Sequence, residues 1–493
     1  VLTLERTVLE AEMTPSPAAP PARRVRAGWT FAIVSVALFM VTLDNLVVST
    51  ALPTIRVDLG ASLESLEWTV NAYTLAFAVL LLTGAALGDR FGRRRMFGLG
   101  VALFTVSSAA AALAPTTGAL VAARAAQGIG AAIVLPLTLT LLSAAVPAEK
   151  RGLALGAWSG ISGLGVALGP VVGGAVVDGI SWHWIFWINV PIGLVLVPLS
   201  RRFLAESHGP AGRLDLPGIA LAGTGLLGVV YGIGRGEALG WTSATILGSI
   251  GAGLALLVAF VAWERRAPAP MLPLRFFRSR AFSATNASSL AMFFGVFGSI
   301  FLLSQFFQTT QGLSPLESGL RVLPWTIMPM FVAPVAGVLS DRIGARPLMA
   351  TGLALQAIAI GWLAAVTTPE VAYSALLAPF VLAGTGMALV FAPAANSVLS
   401  SVRPEEAGQA SGATNAIREL GGVLGVAVLA SVFTARGGYG SPQSYVDGMT
   451  AALPIGAAVL GVGAVLALLI PGKAREEAAE VVETPGLGSA TAV

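Results

Sequence analysis

Apolar stretches of about 20 residues, separated by short polar turns, follow one another from Trp29 almost to the end of the chain. A helix rises about 1.5 Å per residue, so each stretch is long enough to cross a hydrocarbon core roughly 30 Å thick. Lipid offers no hydrogen bonds, so a single stretch of this length crosses it only as an α-helix. Spans begin near Trp29, Trp68, Met96, Thr117, Gly152, Trp184, Pro217, Thr242, Phe282, Gly319, Pro347, Val371, Ala407 and Met449. With 55% hydrophobic and 11% charged residues, nothing remains for a soluble domain. The expected fold class is an all-α polytopic membrane protein of fourteen transmembrane helices.

The basic residues decide the orientation. Arg124 and Arg418 lie within spans, and nearly all the rest of the 29 Lys and Arg fall on the side that holds the N-terminus. The positive-inside rule then puts both termini in the cytoplasm, and the net charge of +4 serves topology rather than nucleic-acid binding. The chain has no cysteine and only two histidines, His183 and His208, which excludes disulfides and thiolate metal sites and argues against a histidine metal centre. No nucleotide-binding loop and no nucleophile–base constellation is present, so no cofactor and no enzymatic activity are expected. The first 27 residues, rich in Pro, Ala and Arg, are expected to form a disordered cytoplasmic tail rather than a cleavable signal, because the apolar segment that follows is full length.

An ionisable group inside a span is costly unless it faces a cavity or a partner. Asp44 lies in the first span, within LDNLVVSTALP, and Arg124 in the fourth. Counting the helical rise from each entry point puts both roughly 21 Å above the inner boundary, where they can meet. A proton on Asp44 would release Arg124, which makes the pair switchable. In the thirteenth span Asn415 and Arg418 share one face, while Glu419 points about 100° away. Arg418 and Glu419 therefore either face a cavity or pair with other helices to hold the second half together.

The fifth span carries Gly156, Gly165, Gly169, Pro170, Gly173 and Gly174 in the spacing G-x8-G-x3-GP-x2-GG. Such density weakens a helix in water, but in a bilayer small residues let a neighbouring backbone approach closely. The second span ends in Asp89, Arg90, Gly92 and Arg93, a tight turn that returns after the tenth span as Asp341, Arg342 and Gly344. This recurrence indicates two homologous halves. The expected organisation is a tail at 1–27, a six-helix half at 28–204, two inserted lipid-facing helices at 205–265, a second six-helix half at 266–471 and a cytoplasmic tail at 472–493.

These strings resemble motifs of the major facilitator superfamily. The glycine run resembles its antiporter motif, the Asp89 turn its motif A, and Leu120 through Ala132, which includes Arg124, Gln127 and Gly128, its motif B. The first glycine of motif A is displaced, with Ala85 in its place. SWHWIFWINVPIG (181–193), RLDLPG (213–218) and QGLSPLESGL (311–320) are similar to signatures of the fourteen-helix drug:proton antiporters, the QacA/EmrB-like branch. The resemblance implies a proton-coupled exporter of amphipathic drugs, antibiotics or related small molecules, working by alternating access in the cytoplasmic membrane. Its implied partners are protons, a small-molecule substrate and the bilayer. Asp44 and Arg124 would couple protons, with Glu419, Arg418 and Asn415 at the substrate cavity. The fifth helix would form a sealed, bendable seam, and Asp89 and Asp341 with their arginines would latch the cytoplasmic side. The tenth span carries no acidic residue between Val322 and Ala336, unlike some polyspecific relatives. A proton-coupled uptake symporter and a non-transporting sensor or scaffold are the alternatives, and substrate identity and oligomeric state stay open.

Overall fold

The computed structural model describes residues 21–208, 214–403 and 406–472. Among these residues the chain is helical with no strand, and thirteen helices are long and apolar enough to cross a membrane. The helices are α1 (Pro21–Leu59), α2 (Leu63–Phe91), α3 (Arg93–Ala112), α4 (Thr117–Ala145) and α5 (Ala148–Gly179). A divided sixth, α6a (Trp184–Trp187) and α6b (Asn189–Phe203), precedes α7 (Leu216–Leu239), α8 (Ala244–Glu264), α9 (Arg280–Thr309) and α10 (Pro315–Ile343). The last four are α11 (Ala345–Val366), α12 (Tyr373–Ser400), α13 (Ala407–Arg436) and α14 (Pro442–Ala467). A 3₁₀ turn, η1 (Leu274–Arg278), precedes α9. The fourteenth span is α5, of which Leu168–Gly179 is the described apolar part.

Local chemistry sets the boundaries. The hydroxyls of Ser62, Thr116, Ser243, Ser279 and Ser441 accept from backbone N–H groups at the starts of α2, α4, α8, α9 and α14. Ser314 and Glu317 form a reciprocal capping box on α10. Gly92 and Gly344 sit at φ +102° and +83°, a region that favours glycine, and turn the chain between α2 and α3 and between α10 and α11. The sixth span breaks at Ile188 because Pro191 has no N–H to offer the carbonyl of Trp187. The first helix begins at Pro21, ahead of the tail boundary expected at residue 28. The remaining tail residues, 1–20 and 473–493, and Arg213 of RLDLPG lie outside the described residues.

The packing repeats itself. In the first half α1 packs on α5, α2 and α3 on α4, and α3 on α6b. The second half makes the same set, α9 on α13, α10 and α11 on α12, and α11 on α14. The halves meet through two equivalent seams, α5 on α10 and α2 on α13. Repeats that pair in this way are related by a two-fold axis, the architecture that lets one half rock against the other.

The two inserted helices differ from each other. α8 packs mainly on α7 and leaves Leu254 and Val258 exposed, as a lipid-facing helix does. α7 corrects the expectation, because it lies across the seam of α2 and α13. Its Val230 is buried in a cluster with Leu75 and Val79 of α2 and Val423 and Ala427 of α13. It therefore bridges the two halves rather than serving only as a lipid-facing accessory.

Candidate functional site

Asp44 is 1% exposed in the middle of α1, and three nitrogens converge on its carboxylate. Oδ2 accepts from Arg124 Nη1 at 2.6 Å, and Oδ1 accepts from Gln127 Nε2 at 2.8 Å and Asn189 Nδ2 at 2.9 Å. Arg124 Nη1 also donates to Gln127 Oε1 at 2.7 Å, and its Nε donates to the Thr69 carbonyl at 3.2 Å. Gln127 Nε2 reaches Ser108 Oγ as well. The guanidinium lies 4.2 Å from the ring centroid of Tyr73, whose hydroxyl is buried with no hydrogen-bond partner among the described residues. A buried pair of opposite charges persists only when such hydrogen bonds offset its desolvation.

The backbone brings these groups together. Gly128 lies against the carbonyl of Tyr73 so closely that a Cβ would overlap it, which lets α4 approach α2 and carries Arg124 into the interior. The height match between Asp44 and Arg124 is thus realised as an ion pair. Asn189 is the partner that the sequence reading missed. Its only signal was one amide within an otherwise aromatic and apolar string.

The glycines of α5 form the seam. A Cβ at Gly165 would strike Thr42, at Gly169 Leu46, and at Gly173 Thr50 and Val47, so α1 lies directly on α5. On the other side Gly174 meets the carbonyl of Pro315, and Gly319 of α10 meets that of Pro170. The surroundings of Gly156 lie outside the described residues. The same end of the bundle is closed by further contacts between the halves. Ser304 Oγ donates to the Ser49 carbonyl at 3.1 Å and Gln308 Nε2 to that of Thr50 at 2.8 Å. Arg56 stacks 3.5 Å over the ring of Tyr439, whose hydroxyl donates to Gln305. Towards the opposite, arginine-rich end, Phe331, Val335 and Val338 of α10 are exposed.

At that arginine-rich end Asp89 reaches across its own turn to the first residue of α3. Arg93, four residues on, takes it in an ion pair at 2.8 Å, and Arg90 lies against Phe91. The neighbour at this turn is Glu206, which follows α6b, accepts from the Arg94 N–H at 2.9 Å and sits where a Cβ on Gly92 would go. A carboxylate at the start of α3 is favoured by the helix dipole. In the second copy of the turn Gly344 repeats the backbone conformation and Arg342 is exposed, while the side chain of Asp341 lies outside the described residues.

On α13, Arg418 and Glu419 form no ion pair with each other or with any other described residue. Arg418 lies 5.9 Å from the ring centroid of Phe293 on α9 and 5.7 Å from that of Phe391 on α12. Glu419 turns towards the other half, where the Asn45 side chain lies beside it. Asn415 is half-buried about one turn earlier and makes no hydrogen bond among the described residues. Consecutive residues of α1 thus serve different partners, Asp44 the interior of the first half and Asn45 the second half. Among the described residues no group of His, Asp or Glu is placed to hold a metal ion.

A sequence model of the Major Facilitator Superfamily matches residues 34–426. The multidrug resistance protein Stp of Mycobacterium tuberculosis is 36% identical, over 82% of this chain and 76% of its own. The tetracenomycin C resistance and export protein of Streptomyces glaucescens is 35% identical, over 85% of this chain and 78% of its own. Among solved structures, a bacterial homolog of the human lysosomal transporter Spinster in an inward-facing, unoccupied conformation superposes with a TM-score of 0.63. That match covers 92% of this chain and 98% of the other at 16% identity.

Proposed function

This chain belongs to the major facilitator superfamily, and from that premise we propose that it is a proton-coupled antiporter exporting amphipathic drugs, antibiotics or related small molecules. The observation that carries the reading is the Asp44–Arg124 pair, a 2.6 Å contact sealed from solvent and held by Gln127 and Asn189. Protonating Asp44 removes the charge that holds Arg124, which changes the relative free energy of the two end states of the transporter. Substrate entering between the halves biases the same equilibrium, and exchange follows from the competition.

The arginine-rich end is assigned to the cytoplasm, with both termini there and the helices in the cytoplasmic membrane. The closed contacts between α5 and α10, and between Arg56 and Tyr439, then lie outside, and the state described is closed outwards. Asp89 bound to Arg93 within its own turn fits a cytoplasmic latch that is released in this state. Two six-helix halves, 28–204 and 266–471, rock about the central site, with 205–265 as the inserted pair. No cofactor takes part, the proton gradient supplies the drive, and the chain is no enzyme.

Reconstitution into proteoliposomes with an imposed pH gradient and an internal pH dye tests the proposal. A panel of amphipathic antibiotics and dyes is added to wild type and to Asp44→Asn. Dissipation of the gradient by substrate in wild type alone is the expected result. Substrate accumulating in the direction of proton flow would instead establish a symporter, and no flux with any compound would end the transport reading.

A further inference from the structure

Among the described residues Arg418 is a cation without an anion. Its Nε and Nη2 are buried there with no hydrogen-bond acceptor, although a carboxylate is carried by the very next residue. Glu419 lies beside Asn45 instead, and among the described residues its Oε2 has no donor. One turn before Arg418, Thr414 Oγ1 is likewise buried and unpaired among the described residues. What surrounds the guanidinium is aromatic. Phe293 and Phe391 flank it and meet edge to face at 6.0 Å, and Phe297 stacks on Phe293 at 5.4 Å. Gly422, one turn further along α13, leaves the space that the ring of Phe297 fills.

Rings stabilise a guanidinium through their faces but accept no N–H bonds in its plane. A guanidinium with two buried, open in-plane donors is costly unless something else supplies the oxygen. A planar group with an oxyanion at its edge satisfies both needs, since the oxygen takes the donors while the ring stacks among the phenyls. The tenth span, which lines the same half, has no acidic residue from Val322 to Ala336 to hold a second positive charge.

We propose that Arg418, with Phe293, Phe297 and Phe391, is the subsite for the acidic end of the exported molecule, which is a planar aromatic compound bearing a carboxylate or phenolate. The proposal rests on the export reading and narrows it, because it places lipophilic cations outside the preferred substrates. Glu419, on another face of α13, and Asn45 of α1 are left to meet donors on the substrate or a proton.

Two xanthene dyes of similar ring size test this, fluorescein as the anion and rhodamine 6G as the cation. Binding to the purified protein in nanodiscs is followed by fluorescence anisotropy, and export by dye flux in proteoliposomes. Fluorescein is expected to bind about tenfold or more tightly than rhodamine 6G, as a charge-assisted contact requires. Arg418→Gln should remove that preference and Arg418→Lys restore part of it. The preference of wild type is a measurement in its own right, so a variant that fails to fold does not spare the idea. Equal or tighter binding of rhodamine 6G overturns the subsite while leaving export intact if that dye is transported. Tight fluorescein binding without flux supports the subsite and counts against export. No binding of either dye overturns the subsite.

Discussion

The side-chain amide of Asn189 donates to Oδ1 of Asp44 at 2.9 Å, from the first residue of α6b, just past the break that Pro191 imposes on the sixth span. A hydrogen bond to a buried charged group contributes about 1.5–3 kcal/mol. With Asn189→Ala the carboxylate keeps Arg124 and Gln127 but has one donor fewer, so the ion pair is less firmly held. The variant is expected to lose thermal stability by about that amount and to show slower substrate-driven proton flux. Wild-type stability and flux in the variant would mean that the contact is dispensable.

The seam between α5 and α10 leads to a second expectation. A methyl group at Gly174 would overlap the carbonyl of Pro315, but only while this end of the bundle is closed. Overpacking costs about 1–3 kcal/mol, so Gly174→Ala should shift the balance about fivefold or more towards the state open at this end. The chain has no cysteine, so Val57→Cys with Ser441→Cys gives one clean spin-label pair across that end. The variant should populate longer label distances than wild type, and identical distance distributions would refute the seam as a determinant of the balance.

Parts of this site were legible in the sequence for physical reasons. Asp44 and Arg124 stand out because charges are rare in apolar stretches, and a helix fixes their heights through a constant rise per residue. Asn189 did not stand out, since a neutral amide amid tryptophans has the look of an interfacial residue, and only the fold aims it at Asp44. Val230 gave no sign at all, because an apolar residue facing lipid and one facing α2 and α13 read the same. Glu206 belongs to a loop whose path no helical periodicity dictates, so only the fold sets its place at the Gly92 turn.

The base of the inserted pair carries a pH dependence of its own. Asp215 caps α7, and its Oδ1 accepts from Trp263 Nε1 at 2.6 Å and from the Gly218 N–H at 2.9 Å, while Oδ2 accepts from the Met271 N–H at 3.3 Å. The Glu264 carboxyl lies beside it, and both border Gly218. Burial pushes the Asp215 carboxyl up, but these donors outweigh burial and hold it below its ordinary value. A depressed carboxyl stabilises the fold above its unfolded pKa of about 3.9, and that contribution disappears as pH falls through the native value. Asp215→Asn should therefore lower the thermal midpoint at pH 7 and lose that effect near pH 3. A deficit equal at both pH values would mean that charge plays no part in the cap.

Arg124 offers the sharpest separation of charge from geometry. Its guanidinium spans three groups at once, Asp44 and Gln127 through Nη1 and the Thr69 carbonyl through Nε, and so ties α4 to both α1 and α2. A lysine has one nitrogen on a flexible stem and no planar fork, so it can restore the charge opposite Asp44 but not the second tie to α2. Arg124→Ala leaves Asp44 buried without a cation, a loss of about 3–5 kcal/mol that should show as reduced thermal stability and no coupled exchange. Arg124→Lys is expected to recover most of the stability, because the charge is compensated, yet to leave substrate-driven proton flux well below wild type. If α2 does not need to follow the protonation of Asp44, the lysine variant will instead exchange at the wild-type rate, and the Thr69 contact will then be structural only.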